Sequence, residues 1–330
     1  MRKAQIYCTL RELVADMNEK GDDGSFWERI KAASTTIERE IGTFIPMMET
    51  RKFAGRMKRL LEIDPVLSVT SILDCDLAVT DYTLMPETPL WVNGPYIKVK
   101  SPSIWSNDTV EIEGIWGKYN ESESVLDSLS LAKGAITFDV SDSSVIDVGM
   151  VLKIESEQVL VTAGHGSKNS PVATAATSLL DGAVDETDEI VTVDNGAEFH
   201  TSEVLLLGNE NLMIKRIIGD DLTVERGWNN TPIETHADDS AVAVYRTFAI
   251  ERGVNGTTDA DHTATAVSRF VVPEDVNWLC RQISGLMLMK ARTGFQGRAG
   301  NAENGESFFY SEFPPNQIAR VKNHYSVRVI

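Results

Sequence analysis

The feature that most limits what this chain can fold into is that it spells the same things twice. Residues 224–236 read VERGWNNTPIETH and residues 250–262 read IERGVNGTTDADH. Each has Glu-Arg-Gly, then Asn, then Thr, then a His ten residues after the Arg, and the two lie 26 residues apart. A second correspondence runs at a spacing of 53: Thr137-Phe138-Asp139-Val140 aligns with Ile190-Val191-Thr192-Val193, and residues 153–161 align with 206–214. Both copies of the longer match read as a strand, a two-residue turn and a second strand beginning at Glu157 or Glu210. That is a hairpin written twice. Short strands with a period of two build sheets, so residues from about 131 to 268 should be all-β.

A repeated Arg and His can signal chemistry or architecture. A metal or catalytic site needs side chains that converge. His236 and His262, with Asp238, Asp239, Asp259 and Asp261 nearby, have neither HExxH spacing nor the order of a calcium loop. No GxSxG, Walker A or GxGxxG sequence occurs, and His165, His200 and His324 stand in no motif. The architectural reading covers more of the phrase. Leu222-Thr223-Val224-Glu225-Arg226 alternates as a strand, Gly227 permits a turn, and Asn229-Asn230 or Asn255-Gly256 tolerates positive φ. The Thr hydroxyl and the His ring then bond loop amides, and Ala241-Val242 or Ala266-Val267 resumes a strand. Glu157 and Glu210 are expected on the polar face of their strands. This reading assigns no catalytic residue, no cofactor and no metal. Trp91, Trp105, Trp116 and Trp228 could stack on sugar, although aromatics fill cores as readily.

Charge locates a boundary. The chain carries 49 acidic and 31 basic residues, a net charge of −18. Residues 121–265 hold 26 of the acids and only 8 of the bases, and the remainder is balanced. An acidic surface repels phosphate, which argues against nucleic-acid binding by this block, and it helps keep a crowded assembly dispersed. Cys8, Cys75 and Cys280 lie far apart with no CxxC pair, so neither a disulfide framework nor a thiolate zinc site is indicated, and a reducing cytoplasm is expected. The opening residues have no apolar stretch suited to a signal peptide, and no window approaches the ~18 apolar residues of a membrane helix.

The flanks read differently. Thr9-Leu10-Arg11-Glu12 and Ser25-Phe26-Trp27-Glu28 both fit the capping box at a helix start. Phe26, Ile30, Ala33, Ile37 and Ile41 then form an apolar stripe that Gly42 ends. Residues 50–119 look like a small sheet, with Thr109 to Gly117 alternating and 82–95 as loop and edge. Residues 165–187, rich in Gly, Ser, Ala and Thr, read as an exposed loop. Pro273 opens a helix with Val276, Leu279, Cys280, Ile283, Leu286 and Met287 on one face, and residues 294–306 read as a mobile stretch. A short helix then carries Ile318, Val321 and Tyr325, and residues 325–330 alternate like a free strand. The expected fold class is α+β. A small helical bundle with a short β-sheet spans 1–120 and 269–330, interrupted by a large all-β insertion of repeated hairpins at 121–268. On this reading, deleting 131–265 leaves a foldable core.

Several of these stretches together resemble tailed-phage head-to-tail connector (adaptor) proteins. They are Tyr7-Cys8-Thr9-Leu10-Arg11-Glu12-Leu13, residues 32–42 with Thr50-Arg51-Lys52-Phe53, Leu67 to Ile72, Val110 to Gly117, the C-terminal helix, and the closing segment from Phe313-Pro314 to Tyr325. The repeated phrase resembles β modules of phage structural proteins, and the acidic insertion departs from compact connectors. The resemblance implies a non-enzymatic virion protein of the neck, made in the host cytoplasm and placed as a homo-oligomeric ring, twelvefold by the same resemblance, under the portal protein. The ring extends the channel through which DNA passes without sequence-specific binding. It offers a platform to a stopper, tail terminator or tail tube, with no membrane contact. Docking through the C-terminal segment would use Ile318, Val321, Tyr325, Val327, Arg328, Val329 and Ile330, since an unpaired strand can add to a partner's sheet edge. A glycan-binding or adhesive β module is the alternative, and a virion-associated hydrolase a more distant one.

Overall fold

A computed structural model describes residues 3–22, 24–87, 95–292, 298–301, 306–309 and 315–325. The chain begins with two helices, α1 (Leu10–Met17) and α2 (Phe26–Glu40). The capping box at Thr9 forms in full: the Glu12 amide donates to the Thr9 hydroxyl, and the Thr9 amide donates to the Glu12 carboxylate at 2.8 Å. At α2 the Phe26 amide is taken instead by Asp22 Oδ1, ahead of the Ser25 that the pattern selects.

A six-stranded antiparallel sheet follows, made of β1 (Met47–Ala54), β2 (Leu60–Asp74), β3 (Leu77–Ala78), β4 (Thr83–Met85), β5 (Tyr96–Lys100) and β6 (Thr109–Trp116). Its order is β1-β6-β2-β5-β4, with β3 on β2. It has its own core, centred on Trp105, Trp116, Val66, Ile72 and Ile112. The expectation of a small helical bundle with a short sheet is overturned here. The molecule is mostly β, with three six-stranded antiparallel sheets and four α-helices among the described residues. The first sheet is longer than expected in part because β2 runs straight through Pro65. Proline has no amide to give a ladder, so it is tolerated where pairing lapses, and the β2–β5 register shifts between Glu62 and Val66.

Twelve strands then form two more sheets. They are β7 (Ser122–Leu131), β8 (Thr137–Asp139), β9 (Val151–Ile154), β10 (Glu157–Ala163), β11 (Thr174–Leu179), β12 (Ile190–Thr192), β13 (Val204–Leu207), β14 (Glu210–Ile218), β15 (Asp221–Glu225), β16 (Ala241–Val244), β17 (Thr247–Glu251) and β18 (His262–Phe270). The outer module has the order β7-β18-β9-β10-β17-β8 and the inner one β11-β16-β13-β14-β15-β12. These are the same plan, strand for strand. The outer chain makes β7 to β10, leaves to build the whole inner module, and returns as β17 and β18. This nesting explains the two spacings. The first half of the module recurs 53 residues later, whereas the second half recurs 26 residues earlier, because the inner copy is completed first. Residues 165–187 are correspondingly more than an exposed loop: they cross between modules with His165 buried and supply edge strand β11.

Helix α3 (Glu274–Arg292) packs on α1 and α2, and α4 (Pro315–His324) packs on α2 and α3. Between them lies the hairpin β19 (Arg298–Asn301) and β20 (Glu306–Phe309), whose first strand falls in the stretch expected to be mobile. The helical core does not stop at the helices. Val148, Val151, Leu160 and Val254 of the outer module and Val204 and Trp228 of the inner one belong to the same buried cluster as Tyr7, Leu13, Phe26, Ile30 and Leu279. The acidic modules are therefore packed into the core that the flanks build. No described helix is long and apolar enough to cross a membrane.

Candidate functional site

Each repeated phrase closes on the Glu of its hairpin. In the outer module Arg252 grips Glu157 with two parallel bonds, Nε to Oε1 at 2.6 Å and Nη2 to Oε2 at 2.7 Å. The amides of Gly253 and Ala260 and the ring of His262 (Nε2 to Oε2, 2.8 Å) bring the donors on this carboxylate to five. The inner module repeats the arrangement bond for bond. Arg226 holds Glu210 at 2.7 and 2.7 Å, with the amides of Gly227 and Glu234 and His236 Nε2 at 2.9 Å. The facing imidazole nitrogen carries the proton, because an ionised carboxylate only accepts. The spare guanidinium donors go to matching carbonyls, Ala132 and Ala260 in one copy and Asp185, Asp188 and Glu234 in the other.

The placement of Glu157 and Glu210 on a polar face is thus corrected. Both are fully buried. Strand alternation put them at the edge of the hairpin turn, but each faces inward to meet an Arg that arrives from another strand. Burial pushes both carboxyls up. The bonds from the Arg, the His and a backbone amide outweigh that and hold them below the ordinary value of 4.5. The turn chemistry agrees with the sequence. Gly227 (φ 66) and Gly253 (φ 61) are left-handed, as are Asn229 (φ 55) and Asn255 (φ 54). Thr231 and Thr257 each donate to the carbonyl three residues back and accept the amide of Asn211 or Gln158. His236 and His262, expected to serve loop amides, bond carboxylates instead.

The repeated Asn faces outward from the cluster and docks it. Asn255, fully buried, accepts the Ala4 amide at 2.8 Å and donates to the Ala4 carbonyl at 3.1 Å, as a neighbouring strand would. It also donates to Gln158, whose own amide reaches the Pro46 carbonyl. Asn229 accepts from Asp22 and donates to the His165 carbonyl. Gly21 makes this approach possible: a Cβ there would sit 2.2 Å from Asn229 Oδ1.

A third cluster, with no signal in the repeat, fastens the joint between modules. Glu203 accepts Arg246 at 2.8 and 2.8 Å, the amide and hydroxyl of Ser143, and the amide of His200. Met150 occupies the position 53 residues before it, so repeat matching cannot find it. Asp142, His200 and Glu203 bring one potential ligand atom each within 4.8 Å of one another. Both Glu203 oxygens already receive the Arg246 guanidinium, whose charge opposes a cation there. Nearby, the cleft between α1 and the inner module, lined by Arg11, Asp147, His165 and Trp228, encloses about 70 Å³. Sites for small organic ligands run to ~300–1,000 Å³. Burial, with the Arg11 charge beside it, pushes His165 down to about 4, so it is neutral at pH 7.

The anticipated docking residues that are described pack inward. Val321 and Tyr325 are buried in the shared core, with Ile318 packed against it. The Tyr325 hydroxyl donates to Asp275 at 2.7 Å and its ring meets Phe44 edge-on at 5.0 Å. Their part in partner binding stands as a proposal: in the single chain this apolar helix face is covered first by the other helices. Val327, Arg328, Val329 and Ile330 lie outside the described residues, as does Trp91. Trp105, Trp116 and Trp228 are buried and present no open face for a sugar. No family model, no curated protein and no solved structure matches the chain.

Proposed function

We propose that the chain is a structural component of a tailed-phage virion, a head-to-tail adaptor that assembles as a ring beneath the portal and carries the next neck or tail component. The observation that supports this reading best is the use made of the repeated phrase. Its Arg and His side chains, the two groups with catalytic potential, are engaged in densely bonded, buried carboxylate clusters that hold loops in place. A carboxylate with five donors is a weak base, and each His is committed to its own Glu in a separate sheet. Buried networks in which each carboxylate takes five hydrogen bonds make a rigid part. Rigidity suits a subunit that must hold its shape in a ring around packaged DNA. The stretches that carry the connector resemblance support the same reading: Tyr7, Leu10 and Leu13 are buried in the core that both modules share.

The test is assembly with the cognate portal protein, imaged by negative stain. A ring of added density on the portal is the expected result, and a portal that recruits none ends the proposal.

A further inference from the structure

The charge of this molecule is divided in space, and the two poles are opposite in sign, each with exposed apolar residues among its charges. The loop between β1 and β2 and the end of β5 expose Arg56, Lys58, Arg59 and Lys100. Their neighbours Arg51 and Lys52 pair with Asp64 and Glu111, whereas none of these four has a carboxylate partner among the described residues. Apolar side chains stand between them: Met57 is 62% exposed, Ile104 55% and Leu60 38%. The tip is rigid. The Trp105 amide and indole donate to the carbonyls of Lys58 and Arg59, Ser101 donates to Arg59, and Gly55 donates to Asp108. A Cβ on Gly55 would lie 2.1 Å from the Ser106 carbonyl, so the two loops touch backbone to backbone. Holding cations in place beforehand lowers the entropy lost on docking.

The complementary surface is on the same chain. Edge strand β12 and the turn from β14 to β15 expose Glu186, Glu189, Asp220 and Asp221 around Ile190 (56% exposed) and Ile218 (55%). We infer that the basic tip of one copy docks on the acidic β12 edge of the next. Because the two surfaces differ, the contact is head to tail, the kind that closes into a ring when the rotation allows. The inference rests on the ring reading above and names its mating faces. A nucleic acid or an anionic lipid surface fits less well. Neither has a use for the acidic patch, which repels phosphate, and a phosphate backbone makes no use of the apolar residues on the tip.

The experiment is sedimentation velocity of the full-length chain at low and high salt, with thermal melts to check that each variant folds. The parent is expected to associate with rising concentration, less so at high salt. The R56E/K58E/R59E variant should weaken that association at least ~tenfold, as should the separate E186K/E189K/D221K variant. Mixing the two should restore it, because each then offers the other an opposite charge. Three outcomes overturn the inference: a parent with no salt-dependent association, folded variants that associate as the parent does, or a mixture that fails to recover. A tip variant that loses only binding to duplex DNA or to phosphatidylserine vesicles also overturns it. Failure of the portal assay leaves this measurement intact, and a portal ring formed by the tip variant removes only the docking inference.

Discussion

The outer and inner modules are the same object in two settings. Each has six strands in the same order and a Glu-Arg-His cluster with the same five bonds, yet they dock on different backbone. Asn255 of the outer module is fully buried and pairs with both polar groups of Ala4, at the opposite end of the chain. Asn229 of the inner module is only half-buried and divides its bonds between Asp22 and the crossing segment at His165. The comparison separates two tasks within one phrase. Glu, Arg, Gly, Thr and His form the fixed part, which shapes the loop. The left-handed Asn is the adjustable part, since a carboxamide can stand in for a peptide group against any backbone it meets.

If both modules belong to the helical core, removing them is the most damaging change. Deletion of 131–265, which the sequence alone suggested the flanks would survive, strips Val148, Val151, Leu160, Val204, Trp228 and Val254 from that cluster. We expect loss of cooperative thermal unfolding, and a soluble deletion with a sharp melt would show the flanks to be self-sufficient. Next come the clusters themselves. Among the described residues, Glu210→Ala leaves the buried Arg226 guanidinium without a carboxylate, and Glu157→Ala leaves Arg252 only Asp259 at 3.0 Å; each should cost ~3–5 kcal/mol in urea denaturation. Equal losses support two equivalent clusters, and a loss under ~1 kcal/mol at either would deny that cluster a structural role.

Acid should act on the crossing between modules before it reaches the clusters. His165 has a folded value of about 4 against an ordinary 6.5, so the unfolded chain binds the extra proton first. Stability is complete above pH 6.5 and falls as pH drops toward 4, by up to ~3 kcal/mol. His165→Gln should flatten that slope, and an unchanged slope would reject the assignment. The carboxyl clusters behave differently. Their lowered values mean that their contribution is present above pH 4.5 and is lost only as pH falls below it, through the depressed folded values. The smallest effect distinguishes the two docking modes. Asn255→Ala and Asn229→Ala carry the same left-handed backbone cost, so their difference reports docking. Asn255→Ala should be worse by ~1 kcal/mol, and the reverse order would contradict the burial argument.

Much of the local structure was legible in the chain. The Thr9 box, the α2 stripe, both hairpins with their two-residue turns and the left-handed Gly-x-Asn loops follow from residues close in sequence. The left-handed turn residues of the repeated phrase also followed from its spacing. Two limits are instructive: a terminal apolar face such as that of Val321 and Tyr325 shows no neighbour in the sequence, and the extent of the first sheet, expected to be short, depends on pairing between strands far apart in the chain.

The amino-acid sequence by itself determined where strands, turns and helix starts fall, because those depend on φ preferences and side-chain period over a few residues. It also held the nesting, as two spacings that run in opposite directions. Only the tertiary structure decided that Glu157 and Glu210 face inward. Whether a carboxylate can leave water depends on the cation that meets it, and Arg252 stands 95 residues from Glu157 and Arg226 16 from Glu210. Until the sheets form and bring those groups together, burial of either charge is too costly to predict from its own strand.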